Sequence, residues 1–367
     1  MAVIGAGRLG GFHAQKLAGF ADVELLAVVD PLPESRNHVA AECRTRALAD
    51  HGGLLDQLDA AVIAAPTRFH HALGREFLER GIHLLVEKPI CATYAEAEEL
   101  VAAARRRSVV LQVGHVERFN PAFAAAAPHV QHPKYIEAVR TGGFTFRSTD
   151  VGVVLDLMIH DIDLVLALVR SRLRKVEALG LSVLGGHEDV ANARLEFDCG
   201  CVATLSASRV SYETTRRMQV WAPRAFAAID FAARTTTLVR PSETLLRRQF
   251  DVEALSPAQR DFYREHLAEE HLPQQRLEFA AIDALALELR EFVDSIRAAR
   301  APRATGAQGR DAVAVAEQIL ARIHTHAWDD TADGPVGPLA TPRPRVIPAP
   351  HFALPAAELP AVQREAG

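Results

Sequence analysis

Nowhere in this 367-residue chain does an apolar run approach the roughly 20 residues that a bilayer-crossing helix needs, so no membrane span is expected. Cysteine is scarce: Cys43, Cys91, Cys199 and Cys201 show no metal-ligand spacing and are expected to be reduced structural thiols, with no metal site. Positive charge is lacking too, because 41 Lys and Arg stand against 46 Asp and Glu, a formal net charge of -5. Without a basic cluster interleaved with aromatics, a nucleic-acid partner is excluded. A small anionic ligand is not, since a few local arginines suffice. Met1 to Ile4 runs straight into a glycine loop instead of a basic region and a long apolar core, so no signal peptide is expected and the location read from the sequence is cytoplasmic.

What is present describes two folded units. A chain with 49% hydrophobic and 24% charged residues is globular in composition, and its length suits two domains with separate cores. Val3-Ile4, a loop from Gly5 to Gly10, a helix from Gly11 to Ala18 and an apolar run from Val23 to Val29 form a βαβ unit ending at Asp30. Strands at 60–65, 83–86 and 109–113 then alternate with helices at 70–80 and 94–107, which predicts an α/β Rossmann domain with a parallel sheet over residues 1–120. Extended runs at 135–140, 176–184, 191–197, 202–210 and 218–221, followed by helices at 279–299 and 310–323, predict an α+β domain over 121–330 with a mainly antiparallel open sheet. Residues 331–367, rich in proline and alanine, read as a flexible tail.

Three short signals carry chemistry. Gly5-Ala6-Gly7-Arg8-Leu9-Gly10 lies between a strand and a helix, with Asp30 about 20 residues on, the context of a dinucleotide loop. The glycines admit a pyrophosphate to the helix N-terminus, and Asp30 would accept from ribose hydroxyls and repel a 2'-phosphate. NAD is therefore the expected cofactor, with NADP left open by nearby Arg36. Glu87-Lys88-Pro89 follows a buried strand at the carboxyl edge of the sheet, and Lys88 would stabilise a developing alkoxide. Asp156 and His160 are one helical turn apart on an otherwise apolar stretch, where the imidazole supplies a base titrating near neutrality and Asp156 orients it or contacts a sugar hydroxyl. Which of Lys88 and His160 is the base stays open. His115, Arg118 and Asn120 sit just past the last strand of the first domain and are candidate substrate contacts. Pro66 and His70 lie near the nicotinamide end, with His71 a helix-terminal histidine. Asp163 reads as structural.

Taken together, these features resemble the Gfo/Idh/MocA oxidoreductases over roughly residues 1–330. In that family the GAGRLG loop holds the cofactor, EKP supplies the active-site lysine, and Gly152, Asp156 and His160 match its GxxxDxxxH dyad. The resemblance implies a Rossmann domain, a second domain whose open sheet makes the contact of a homodimer or homotetramer, and a small-molecule substrate. The segments 113–121 and 146–152 are similar to the branch that oxidises the 3-hydroxyl of UDP-N-acetylglucosamine, whose keto product feeds an aminotransferase in making the diamino sugar of some lipid A. The alternatives are an inositol or hexose dehydrogenase and a non-catalytic sensor of dinucleotide and sugar.

Overall fold

The computed structural model describes residues 1–146, 150–184 and 186–326. Arg147, Ser148 and Thr149 and the expected tail at 331–367 lie outside the described residues. The first sheet contains β1 (Ala2–Ile4), β2 (Ala27–Val29), β3 (Arg46–Leu48), β4 (Ala60–Ile63), β5 (His83–Glu87) and β6 (Leu111–Gly114). Their order is β3-β2-β1-β4-β5-β6, parallel throughout, the doubly wound arrangement whose order reverses between β1 and β4. The central strands are buried on both faces, which is why Ala-Ala-Val-Ile and Leu-Leu-Val read as continuous apolar runs. Around this sheet lie α1 (Arg8–Ala18), α2 (Pro33–Cys43), α3 (His70–Glu79) and α4 (Tyr94–Arg107).

Several expectations shift. The run 23–29 is a strand only from Ala27, and α1 begins at Arg8, inside the glycine loop. The unit α2 and β3 was not expected, because α2 buries only Val39 and Ala40 and β3 is a three-residue edge strand.

After a short helix, α5 (Pro121–Ala126), come β7 (Tyr135–Thr141) and α6 (Ile159–Val169). The rest of the second sheet is β8 (Leu173–Leu181), β9 (Val190–Phe197), β10 (Val202–Ser208), β11 (Thr215–Ala222), β12 (Ala225–Asp230), β13 (Thr235–Val239) and, beyond α7 (Glu243–Leu246) and α8 (Pro257–His271), β14 (Gln274–Glu278). The order is β14-β13-β12-β11-β7-β10-β9-β8, antiparallel except for the parallel pair β7 and β10. Strands β12 to β14 extend the sheet beyond its sequence-predicted edge. The chain then returns to the first sheet. Helix α9 (Ala284–Arg297) sets Leu289 and Phe292 among Val3, Ala14, Leu17 and Val28, and α10 (Gly306–Thr325) packs against α4, α6 and β8. Fully burying Leu289 and Phe292 contributes roughly 1.5–3 kcal/mol each. Among the described residues no helix is long and apolar enough to cross a membrane.

Candidate active site

A cleft of about 1350 Å³ runs between the carboxyl edge of the first sheet and the second sheet. At one end it is lined by Gly5, Gly7, Arg8, Leu9, Asp30 and Pro66, at the other by Arg140, Thr141, Asp156, Arg209 and Arg216. The glycine loop fits a dinucleotide on its own geometry. Gly5 has φ of +101°, in the left-handed region, and a side chain on Gly10 would strike the Gly5 carbonyl. Helix α1 has Gly7 as its N-cap with no side-chain cap and no acidic residue in its first turn, so its free N–H groups and positive dipole end are available to a pyrophosphate. Asp30 closes β2, its carboxylate accepting from the Ala6 N–H at 2.7 Å and the Leu32 N–H at 2.8 Å, which leaves lone pairs for ribose hydroxyls. Arg36 turns back onto the carbonyls of Asp30 and Pro31.

Hydrogen bonds to a charged group contribute roughly 1.5–3 kcal/mol, so Asp30→Ala is expected to weaken NADH binding about tenfold or more. It should also narrow the preference over NADPH by removing the repulsion of a 2'-phosphate. Fluorescence titration with both cofactors checks this, and an unchanged ratio would remove Asp30 from cofactor choice.

Strand β5 delivers Glu87 and Lys88 in opposite directions. The Glu87 carboxylate turns inward, bonded to His13 Nε2 at 2.6 Å and to the Lys88 backbone N–H at 3.2 Å. Burial acts to raise its pKa, but His13 and Lys88 outweigh burial and hold it below the ordinary value. Gly114 is the residue that makes room, since a Cβ there would lie 2.7 Å from Glu87 Oε2. Lys88 reaches across to the second half of the chain, donating from Nζ to the Asp156 carbonyl at 2.6 Å and to Asp156 Oδ1 at 3.1 Å. Thus the Asp156 side chain is paired with Lys88, and among the described residues no side-chain hydrogen bond joins it to His160.

The local backbone differs from expectation as well. Val154–Met158 is a π-helical turn leading into α6, a distortion frequent at functional sites. Glu188 holds its start, taking the Val154 N–H on Oε1 at 3.1 Å and the Val153 N–H on its carbonyl at 2.9 Å. Gly152 is required there because any side chain would collide with the Glu188 carboxylate. His160 follows in the first turn of α6, with Nδ1 buried and unpartnered. Burial first, then the charges of Lys88, Arg140, His115 and Arg216, drive its pKa well below the ordinary histidine range. Both influences favour its neutral form.

Other candidates face inward. Arg118 is buried in a two-bond pair with Asp163, both contacts at 2.7 Å, and donates to the Arg303 carbonyl. Asn120 caps α5 through Ala122 N–H and donates to Glu117 and the Phe231 carbonyl. Neither lines the cleft, which corrects their reading as substrate contacts: the turn Val116–Phe119 points them into the core. Asp163 is structural, as read. His70 is buried between the carbonyls of Pro89 and Ala65, bracing the loop beside Pro66 without facing the cofactor end, and His71 pairs with Glu99 on the surface. His115 is buried with both ring nitrogens unbonded, its Nε2 at 3.7 Å from Asp163, and burial depresses its pKa.

Glu288 was missed. Fully buried on α9, its carboxylate has no hydrogen-bond partner among the described residues, and burial together with the nearby Glu87 and Asp163 charges raises its pKa well above the carboxylate range. Its sequence signal was a glutamate on an apolar stripe, Leu285, Glu288, Leu289 and Phe292. Arg140 was missed as well; it is buried between Asp161 and Glu117, which with the Arg140 guanidinium form a closed ionic cluster behind the cleft.

A glycine-loop dinucleotide site facing a lysine, a carboxylate and a neutral histidine defines a nicotinamide-dependent oxidoreductase. Residues 1–115 match the Gfo/Idh/MocA model described as an oxidoreductase family with an NAD-binding Rossmann fold, and residues 113–226 match the C-terminal domain of the same family. The chain is 36% identical over 322 residues to the UDP-N-acetylglucosamine 3-dehydrogenase of Acidithiobacillus ferrooxidans, covering 88% of this chain and 96% of that one. A solved structure of that enzyme superposes with a TM-score of 0.76 at 34% identity over the same shares. The scyllo-inositol 2-dehydrogenase (NAD(+)) of Bacillus subtilis is 29% identical, covering 57% of this chain and 67% of its own. The chain belongs to the Gfo/Idh/MocA family of NAD-binding oxidoreductases.

Proposed function

We propose that the protein oxidises the 3-hydroxyl of a nucleotide sugar, UDP-N-acetylglucosamine, to the 3-keto sugar, with NAD as acceptor. The observation that carries this reading is the pairing of Lys88 with Asp156, which lines the cleft that also holds Gly5 and Gly7, with His160 one helical turn beyond Asp156. NAD, when bound through Gly5, Gly7, Gly10 and Asp30, supplies the hydride acceptor. Lys88, fixed by two bonds to Asp156, holds an N–H donor toward the reacting oxygen and stabilises negative charge developing there. His160 takes the hydroxyl proton, for which a depressed pKa keeps a lone pair free at neutral pH. Asp156 positions the ammonium and does not orient the imidazole.

The choice of a UDP sugar is supported by the 36% identity to an enzyme named for that substrate; the inositol reading draws on a shorter and weaker likeness. The 3-keto product suits transamination toward a lipid A diamino sugar, in the cytoplasm. A homodimer or homotetramer would use the open face of the second sheet, where Tyr135, Trp221 and Phe226 form a half-buried ring ladder at 5.1 and 5.0 Å. The test is NAD reduction by the purified protein with UDP-N-acetylglucosamine, the ketone being removed by a carbonyl trap. NADH formed together with a 3-keto nucleotide sugar by mass spectrometry is the expected result. Turnover of myo-inositol instead, without inhibition by UDP, would replace the substrate.

A further inference from the structure

Among the described residues, the cations on the second-sheet side of the cleft are neutralised with one exception. Arg140 is held by Asp161 and Glu117, and Arg209 by Asp189 at 2.7 Å and the Val151 carbonyl. Lys88 is held by Asp156, which lines the cleft. Arg216 is exposed and lines the cleft, and its guanidinium has no ion-pair or hydrogen-bond partner among the described residues. Its position is set by the sheet. In the antiparallel pairing of β11 with β7, Arg216 lies directly opposite Arg140, on the face that buries Met218 and Val220 against Ala138 and Ile136. Arg216 shares the cleft lining with Asp156, the partner of Lys88.

We infer that Arg216 anchors the diphosphate of the substrate, taking it as a charge-assisted hydrogen-bond donor while the sugar ring is presented to Lys88 and His160. Guanidinium is suited to this, since its planar fork donates to two phosphate oxygens at once. Phe144, whose ring lines the same end of the cleft edge-on to the largely exposed Phe146 at 5.1 Å, gives the nucleotide an aromatic surface next to that anchor. A free cyclitol would leave Arg216 unpaired, so this residue would separate nucleotide sugars from uncharged substrates. The inference rests on the nucleotide-sugar reading and names the residue that would make it.

The experiment is calorimetric titration of the full chain, saturated with NAD so that the dinucleotide site is filled, with UDP, uridine and glucuronate. The wild-type protein is expected to bind UDP and not uridine, and Arg216→Met to weaken UDP by about ten- to a hundredfold while NADH affinity is unchanged. Arg216→Lys should recover part of the loss, as a point charge without the fork. If the wild type binds UDP and Arg216→Met binds it equally well, the anchor is overturned and the nucleotide-sugar reading stands. If the wild type binds no UDP, or binds glucuronate in its place, both fall together.

Discussion

Lys88→Met is expected to lower kcat by a factor of about 10² to 10⁴, the range general acid–base groups supply, with NADH affinity changed by no more than a few-fold. The proposed dinucleotide contacts are the glycine loop and Asp30, whereas the Lys88 ammonium is engaged by Asp156. A second readout separates electrostatics from simple loss of structure. His160 is kept neutral by burial and then by Lys88, Arg140, His115 and Arg216, so the oxidation rate of the wild type should hold as pH falls and decline only well below the ordinary histidine range. Deleting the Lys88 charge removes one cation that opposes protonation, and the acid limb of the residual activity should move to higher pH. Steady-state kinetics across pH with bound-cofactor fluorescence as the folding control measures both. Unchanged turnover would take Lys88 out of the chemistry.

The largest effect on stability is expected at Arg118. With Asp163 almost wholly buried and both oxygens engaged by the guanidinium, Arg118→Met strands a carboxylate whose next cationic neighbour, His115, is 3.7 Å away and disfavoured as a cation. Breaking such a pair by removing one partner costs about 3–5 kcal/mol. Replacing the whole pair, Arg118→Met with Asp163→Leu, should restore much of that loss, because an apolar pair of similar volume is often neutral. Denaturant unfolding of the two single variants and the double variant forms the cycle. A small stability change in Arg118→Met accompanied by a raised KM would return the residue to the substrate site.

The parts of the fold visible in the sequence are those where burial and local turn chemistry agree. Leu84, Leu85 and Val86 are apolar because helices cover both faces of β5, and Gly5 and Gly10 are glycine because backbone passes within contact distance. Strand β13 was hidden by its threonines, which half-fill a pleated surface without an apolar rhythm, and β12 by alanines. Residue type also does not carry direction. Arg118 and Asn120 follow the strand edge where ligands bind, yet the turn at Val116–Phe119 aims them away from it, and no spacing rule reports that. Asp156 and His160 were found by spacing, but the π-helical turn and the reach of Lys88 from a segment 68 residues earlier decided their partners. Arg216 was missed for the opposite reason. A lone arginine in a polar strand has no sequence signature, and its meaning comes from a guanidinium that no described neighbour neutralises.

Helix α9 gives the molecule an order of assembly. The first sheet is complete in the chain by Gly114, yet the surface formed by Val3, Ala14 and Leu17 stays uncovered until Leu289 and Phe292 have been made, more than 170 residues later. During synthesis the dinucleotide half would therefore wait, with an apolar face open, for the whole second sheet to emerge. A gene truncated after the last Rossmann strand would encode a sheet without its lid.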